Sequence, residues 1–238
     1  MDAKSVCQLD IVEHATVAEI IDGDTVRLAD HRQVRLVGTQ APKLSLGRSG
    51  FVDWPLAAEA KTALKKLVNG KEVGLGYGGL KIDRNGRTLA HLYIGKTWVQ
   101  GEMIASGMAR VYTWPDNRSC AAELLARERE ARAASRGIWA LPYYRIRKPD
   151  ELGAEIDTFQ LVEGQVTSAA VARGRAFLNF GDNYRTDFTI TISPEDLRAF
   201  PYDPRNLEGK TIRVRGWLTL LNGPEIQATH PEQIELLP

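Results

Sequence analysis

Two carboxylates stand two residues apart in Ile21-Asp22-Gly23-Asp24-Thr25. Acids at that spacing on a tight turn can share a divalent cation. Asp-Gly is also a hairpin signal, because both central positions tolerate positive φ, and turn chemistry alone favours that reading. Arg35 falls in an alternating strand, where a solvated outward side chain is the ordinary expectation. Tyr112 and Trp114 can stack on a base or simply pack at a strand border. Lys61, Lys65 and Lys66 read as a solvated helix face. The histidines at 14, 31, 91 and 230 have no ligand spacing, and neither serines nor cysteines have triad context. Cys7 and Cys120 leave two readings open. They are free thiols in a reducing compartment, or one bridge pinning the N-terminal arm to a helix beginning near Cys120, which would point to a periplasmic or secreted location.

The 238 residues suffice for two modest domains. Residues 1–150 carry 23 Lys and Arg against 17 Asp and Glu, a net of +6; residues 151–238 carry 8 against 13, a net of −5. A basic front half suits an anionic partner, since cationic side chains release counterions from phosphates. The acidic rear half argues against a second strong nucleic-acid surface and leaves room for a protein partner. No apolar run approaches the roughly 20 residues that cross a bilayer, so no membrane role is expected. The opening MDAKSVCQLD has no apolar h-region, so the chain as given shows no secretory signal.

Alternation predicts strands at 14–21, 24–29 and 33–38, with Asp22-Gly23 as a turn between the first two. A loop with Pro42, Gly47 and Gly50 follows. Pro55 then opens a helix whose Leu56, Ala60, Leu64 and Leu67 share a face and which Gly70 closes. Strands are expected at 72–77 and 87–94, a helix at 97–107, a short strand at ARVY, and a helix from about Arg118 to Arg136 with many Arg and Glu on its outer face and Leu124 and Leu125 inside. PYYRIRKPDELGAEID reads as a linker. Beyond it the pattern restarts: strands at 159–166, 175–181 and 186–192, a short helix capped by Ser193, then strands in TIRVRGWLTL and PEIQATH. Both halves run β-β-β-α-β-β, the order of a small closed barrel. The expected architecture is α+β, mainly β: an OB-fold domain at 1–145, a linker at 146–157, and a second small OB-like β-barrel at 158–238.

Four pieces, IDGDTVRL (21–28), VRLVGTQAPK (34–43), the helix after Pro55 and IDRNGRTLAHLY (82–93), together resemble the staphylococcal nuclease (thermonuclease) family over roughly residues 13–140, ending at RGIW (136–139). The resemblance implies a five-stranded OB barrel and a metal-dependent phosphodiesterase acting on DNA and RNA, normally with Ca²⁺. It implies that Asp24, with Asp22 nearby, ligates the metal. It implies that Arg35 and Arg87 hold phosphate and stabilise transition-state charge, a role a planar, permanently charged fork suits. Tyr112 is the candidate for stacking.

Two positions depart from the family pattern. Gln40 stands where the family has its second metal carboxylate, and Lys43 where it has the Glu proposed as general base. The first change removes a charge beside a divalent ion and the second adds repulsion, so phosphate binding by Arg35, Arg87 and Lys43 is expected to outlast calcium binding. Loss of a general base costs about 10²–10⁴ in rate. A neutral Lys43, or a replacement carboxylate from Asp53 or Glu59, are the escapes. The expected function is a thermonuclease-like phosphodiesterase or nucleic-acid-binding protein with weak or altered hydrolysis. The rival is a catalytically inactive module of two OB-type barrels that binds nucleic acid or protein.

Overall fold

The computed structural model describes residues 7–183 and 185–238. The chain divides into two compact units, the first ending at Tyr143 and the second spanning Tyr144–Pro238. The fold is α+β and mostly strand, with three α-helices among the described residues.

In the first unit, β1 (Ile11–Asp22), β2 (Thr25–Leu28) and β3 (Gln33–Leu36) form an antiparallel meander, followed by the short β4 (Gly38–Gln40). Next come α1 (Ala57–Val68), β5 (Glu72–Gly76), β6 (Thr88–Ile94), β7 (Thr97–Trp98), α2 (Val99–Ala105), β8 (Arg110–Tyr112) and α3 (Ala121–Ala133). β1 pairs with β5 and β5 with β6, both antiparallel, and β6 closes on β3 in parallel. The result is the five-stranded OB-type barrel expected from the element order. Its inward alternation fills the core with Val17, Val26, Val34, Leu36, Val73, Leu75 and Leu92. α1 adds Ala60, Leu64 and Val68 from its apolar stripe. β4 and β8 pair beside the barrel and carry Gln40 opposite Arg110. α3 turns Leu124 and Leu125 inward as expected, and it also buries an acid: Glu128 is fully buried, accepting from the Val111 N–H at 2.7 Å and pairing with Arg132 at 3.2 Å. That carboxylate satisfies a strand donor that would otherwise be orphaned.

The second unit repeats the circuit with different residues. β9 (Phe159–Gln165) and β10 (Ser168–Ala172) act as one bent strand; Val166 N–H donates to Lys210 on one side, and Thr167 N–H to Asn179 on the other. β11 (Arg175–Asn179) pairs with β10 and with β12 (Thr189–Ile192), both antiparallel. β12 then pairs in parallel with β14 (Pro224–Gln227), which is antiparallel to β13 (Thr211–Leu220), and β13 returns to β9. β15 (Ile234–Leu236) lies on the other part of β13. β10 and β15 have no counterpart in the alternation reading: SAAVA is short of large apolar residues and four of its five positions are exposed. Ser193 Oγ accepts from Asp196 N–H at 3.1 Å across the turn that follows it, but the helix there is 3-10 rather than α and its N-cap position is Glu195. The stretch read as a linker, 146–157, is tied to this unit. Arg147 N–H donates to Leu161, Arg147 accepts from Glu163 N–H, and Leu152 is in the core. No helix among the described residues is long and apolar enough to cross a membrane.

Candidate functional site

The candidate site of the first unit gathers where the β1–β2 turn meets the chain leaving β4. Asp22 ends β1 and its Oδ1 accepts from the Asp24 N–H at 3.0 Å, which closes the turn. Gly23 is required there by space. A Cβ on it would lie 2.6 Å from Ala41 Cβ and 2.8 Å from Ala60 Cβ, so the turn rests directly on α1. This close approach leaves Asp24 with no exposed surface.

A buried carboxylate must be compensated, and Asp24 is compensated several times over. Ala41 N–H donates to Oδ2 at 2.7 Å, Thr25 Oγ1 donates to Oδ1 at 3.3 Å, and Lys43 Nζ reaches both oxygens at 2.8 and 2.7 Å. Arg35 projects from β3, opposite Thr25, and its guanidinium forms an ion pair with Asp24. The same guanidinium donates to the carbonyls of Asp24 at 3.3 Å and Thr39 at 2.7 Å, and Arg35 is only 4% exposed. Burial by itself raises the Asp24 pKa. Arg35 and Lys43 overcome it and hold the carboxyl well below the usual range. Asp22 moves the other way, pushed up by burial and by the neighbouring Asp24. Its closest cation is Lys43, at 3.7 Å. Burial, then Arg35, pull the Lys43 pKa down, against the two aspartates. Two acids and two bases thus form one internally neutralised cluster.

The remaining candidates are placed differently. Gln40 is buried and its Oε1 accepts from Arg110 Nε at 2.8 Å. Arg87 is occupied by Asp83: Nε and one terminal nitrogen lie 2.8 and 2.7 Å from Oδ2, and its N–H donates to Oδ1 at 2.9 Å. This pairing shapes the 83–87 turn and lowers the Asp83 pKa despite partial burial. The Arg87 side chain is 29% exposed. Tyr112 is half-buried, edge-on to Trp114 at 5.1 Å between ring centroids. Asp53 accepts from Ser45 N–H and ties the loop after Lys43, while Glu59 is exposed on the first turn of α1. Cys7 and Cys120 are joined in a disulfide with Cα atoms 5.4 Å apart, linking the start of the described chain to the residue before α3.

Sequence reasoning did not single out Arg110. The signal was available only through pairing, since β8 must lie against β4 before Arg110 can meet Gln40.

The donors do not fit a calcium ion. Both Asp24 oxygens are taken by cations and N–H groups, the position-40 oxygen by a guanidinium, and an ammonium stands between the aspartates. No group of three or more His, Cys, Asp or Glu among the described residues could hold a metal.

Residues 33–141 match the family model described as staphylococcal nuclease homologue. That stretch contains Arg35, Gln40, Lys43 and Arg87; Asp22 and Asp24 precede it. Among curated proteins, the chain is 34% identical over 113 residues to the probable staphylococcal-like nuclease CAN2 of Oryza sativa subsp. japonica, covering 48% of this chain and 27% of that protein. It is 25% identical over 127 residues to the thermonuclease of Staphylococcus hyicus, covering 52% of this chain and 74% of that protein. It is 28% identical over 130 residues to the thermonuclease of Staphylococcus intermedius, covering 53% of this chain and 76% of that protein. The chain spans between 26% and 33% of the length of its three rice relatives.

Proposed function

Taking residues 33–141 as a staphylococcal nuclease-like domain, we propose that the first unit binds nucleic acid while its own cations keep calcium-dependent hydrolysis weak. The observation that carries this reading is the Lys43 ammonium seated on both oxygens of Asp24. A divalent ion would have to displace Lys43, compete with Arg35 for a carboxylate whose charge is already cancelled, and accept Gln40 as a neutral donor held by Arg110. Position 43 offers no carboxylate to activate water, a loss of about 10²–10⁴ in rate.

Nucleic acid as the polyanion is supported by the relatives' names and by the net of +6 on residues 1–150. Arg87 is the guanidinium best placed to serve, since it is part-exposed and can exchange Asp83 for a phosphate oxygen. Lys43 joins it by swinging from Asp24 to phosphate. Arg35 acts from below, holding Asp24 and the β4 carbonyl. Tyr112 offers a ring for a base.

The test uses single-stranded DNA and RNA oligonucleotides with Ca²⁺, Mg²⁺, Mn²⁺ or EDTA, scoring cleavage and binding across a salt series. The expected result is binding that weakens as salt rises, reduced in Arg87→Ala, with little calcium-stimulated cutting. Gln40→Asp with Lys43→Glu is expected to create calcium-dependent cleavage, and adding Arg110→Gln to strengthen it by freeing the new carboxylate. Rapid calcium-stimulated cutting by the unaltered chain, lost in Arg87→Ala, would overturn the proposal.

A further inference from the structure

The outer face of the second barrel carries a pocket of about 350 Å³, lined by Phe177 and Asn179 from β11, Thr189 and Thr191 from β12, Glu225 from β14, and Leu221 from the β13–β14 turn. Strand alternation explains why polar groups collect here. Ile190, Ile192 and Ile226 point into the core, so their neighbours Thr189, Thr191 and Glu225 share the opposite face. Glu225 is nonetheless only 8% exposed.

Its lack of a cation sets it apart. Glu163 pairs with Arg213, Glu235 with Arg215 and Glu155 with Arg147, each at 2.6–2.7 Å. In the first unit, buried Asp24 and Glu128 have cations too. Among the described residues, no cation lies within ion-pair distance of Glu225. Its Oε1 accepts from Thr191 Oγ1 at 2.7 Å, and its Oε2 has no hydrogen bond.

The direction of the surrounding hydrogen bonds narrows the ligand. Thr191 spends its hydroxyl proton on Glu225, and Thr189 spends its own on Asn179 Oδ1 at 3.2 Å. Asn179 donates to Ser168 Oγ at 3.0 Å. Both threonine hydroxyl protons are consumed within the wall, so beside the Asn222 amide the pocket presents a carboxylate oxygen and two hydroxyl lone pairs. A phosphate or carboxylate would face the Glu225 carboxylate with no cation among the described residues to offset it. One carboxylate and two hydroxyls fall short of the six to eight oxygens that calcium takes. A guanidinium or primary ammonium supplies several donors with one positive charge, and the Phe177 ring adds a cation–π partner. Leu221, 64% exposed, offers apolar surface at the rim for an aliphatic stem.

We infer that this pocket binds an organic cation bearing several N–H donors, a guanidinium or primary ammonium of the kind carried by arginine and lysine. The inference stands on the second unit alone and does not depend on the nuclease-type reading of the first.

The full chain is titrated with ethylguanidinium chloride, with the peptide acetyl-Gly-Arg-Gly-amide, and with the same peptide carrying citrulline, following backbone amide shifts by NMR. Saturable shifts at Thr189, Thr191 and Glu225 are expected with the two cations, with citrulline about tenfold weaker or more, the equivalent of 1.4 kcal/mol. Glu225→Gln, which keeps an acceptor for Thr191, is expected to weaken cation binding by a similar factor while oligonucleotide binding is unchanged. Saturation by ethylguanidinium alone identifies a free small cation as the source; tighter binding of the arginine peptide identifies a protein side chain. The inference fails if neither cation saturates, if citrulline binds equally, or if Glu225→Gln binds as the unaltered chain does.

Discussion

The two barrels share one pairing circuit, yet one buried acid in each is surrounded in opposite ways. In each, a meander of three strands closes through a parallel contact, β3 with β6 and β12 with β14, and an antiparallel strand returns to the start. In the first, Asp24 is packed under Arg35 and Lys43; in the second, Glu225 has one hydroxyl and no cation. Backbone topology therefore places a carboxylate without deciding its use, which follows from the side chains that neighbouring strands supply. A neutralised cluster resists an added ion, whereas a lone carboxylate invites one.

The largest expected effect tests the first half of that contrast. Asp24→Ala strands a buried guanidinium and an ammonium together, and loss of one partner of a buried pair costs about 3–5 kcal/mol. Urea unfolding should show that loss; a change below about 1 kcal/mol would mean the cluster is not a unit. The next effect is set by pH. His91 is buried on β6, its Nδ1 accepts from Trp98 Nε1 at 3.1 Å, and burial lowers its pKa to about 4. The folded state thus binds fewer protons than the unfolded chain between about pH 6.5 and about pH 4, so stability is full above 6.5 and lost on the way down. The drop should be on the order of 3 kcal/mol, and His91→Gln should flatten it in acid melts followed by Trp fluorescence. Gly23→Ala comes third: its Cβ would overlap Ala41 and Ala60, and overpacking costs about 1–3 kcal/mol. If this variant melts like the unaltered chain, the turn does not rest on α1 as described. The smallest effect sharpens the contrast. Glu225→Gln replaces a carboxylate that has no cation partner among the described residues, and is expected to shift stability by less than about 1 kcal/mol by thermal unfolding.

Much of the fold was legible because alternation and punctuation agreed. Val26, Leu28, Val34 and Leu36 alternate inward, and the turn falls at Gly23-Asp24, one residue beyond the predicted Asp22-Gly23. β10 escaped because an exposed SAAVA has no apolar face to betray it. The candidate site was named from the family resemblance as a set of positions, not as a set of bonds. The resemblance pointed to Asp24, Arg35 and Lys43, and only geometry reveals that the bases are spent on the acid. Arg87 illustrates the limit: its partner Asp83 lies four residues away, and sequence reasoning did not single it out. Glu225 was unreadable, since PEIQATH resembles any edge strand until β12 supplies Thr191 beside it.

The Cys7–Cys120 bond makes a covalent ring of the chain between those residues, and that ring holds Asp22, Asp24, Arg35, Lys43 and Arg87. A protease that nicks the loop following Lys43 would therefore release nothing. Both pieces would migrate as one molecule until a thiol reagent separated them, and the cut protein could keep every group of the cluster in place.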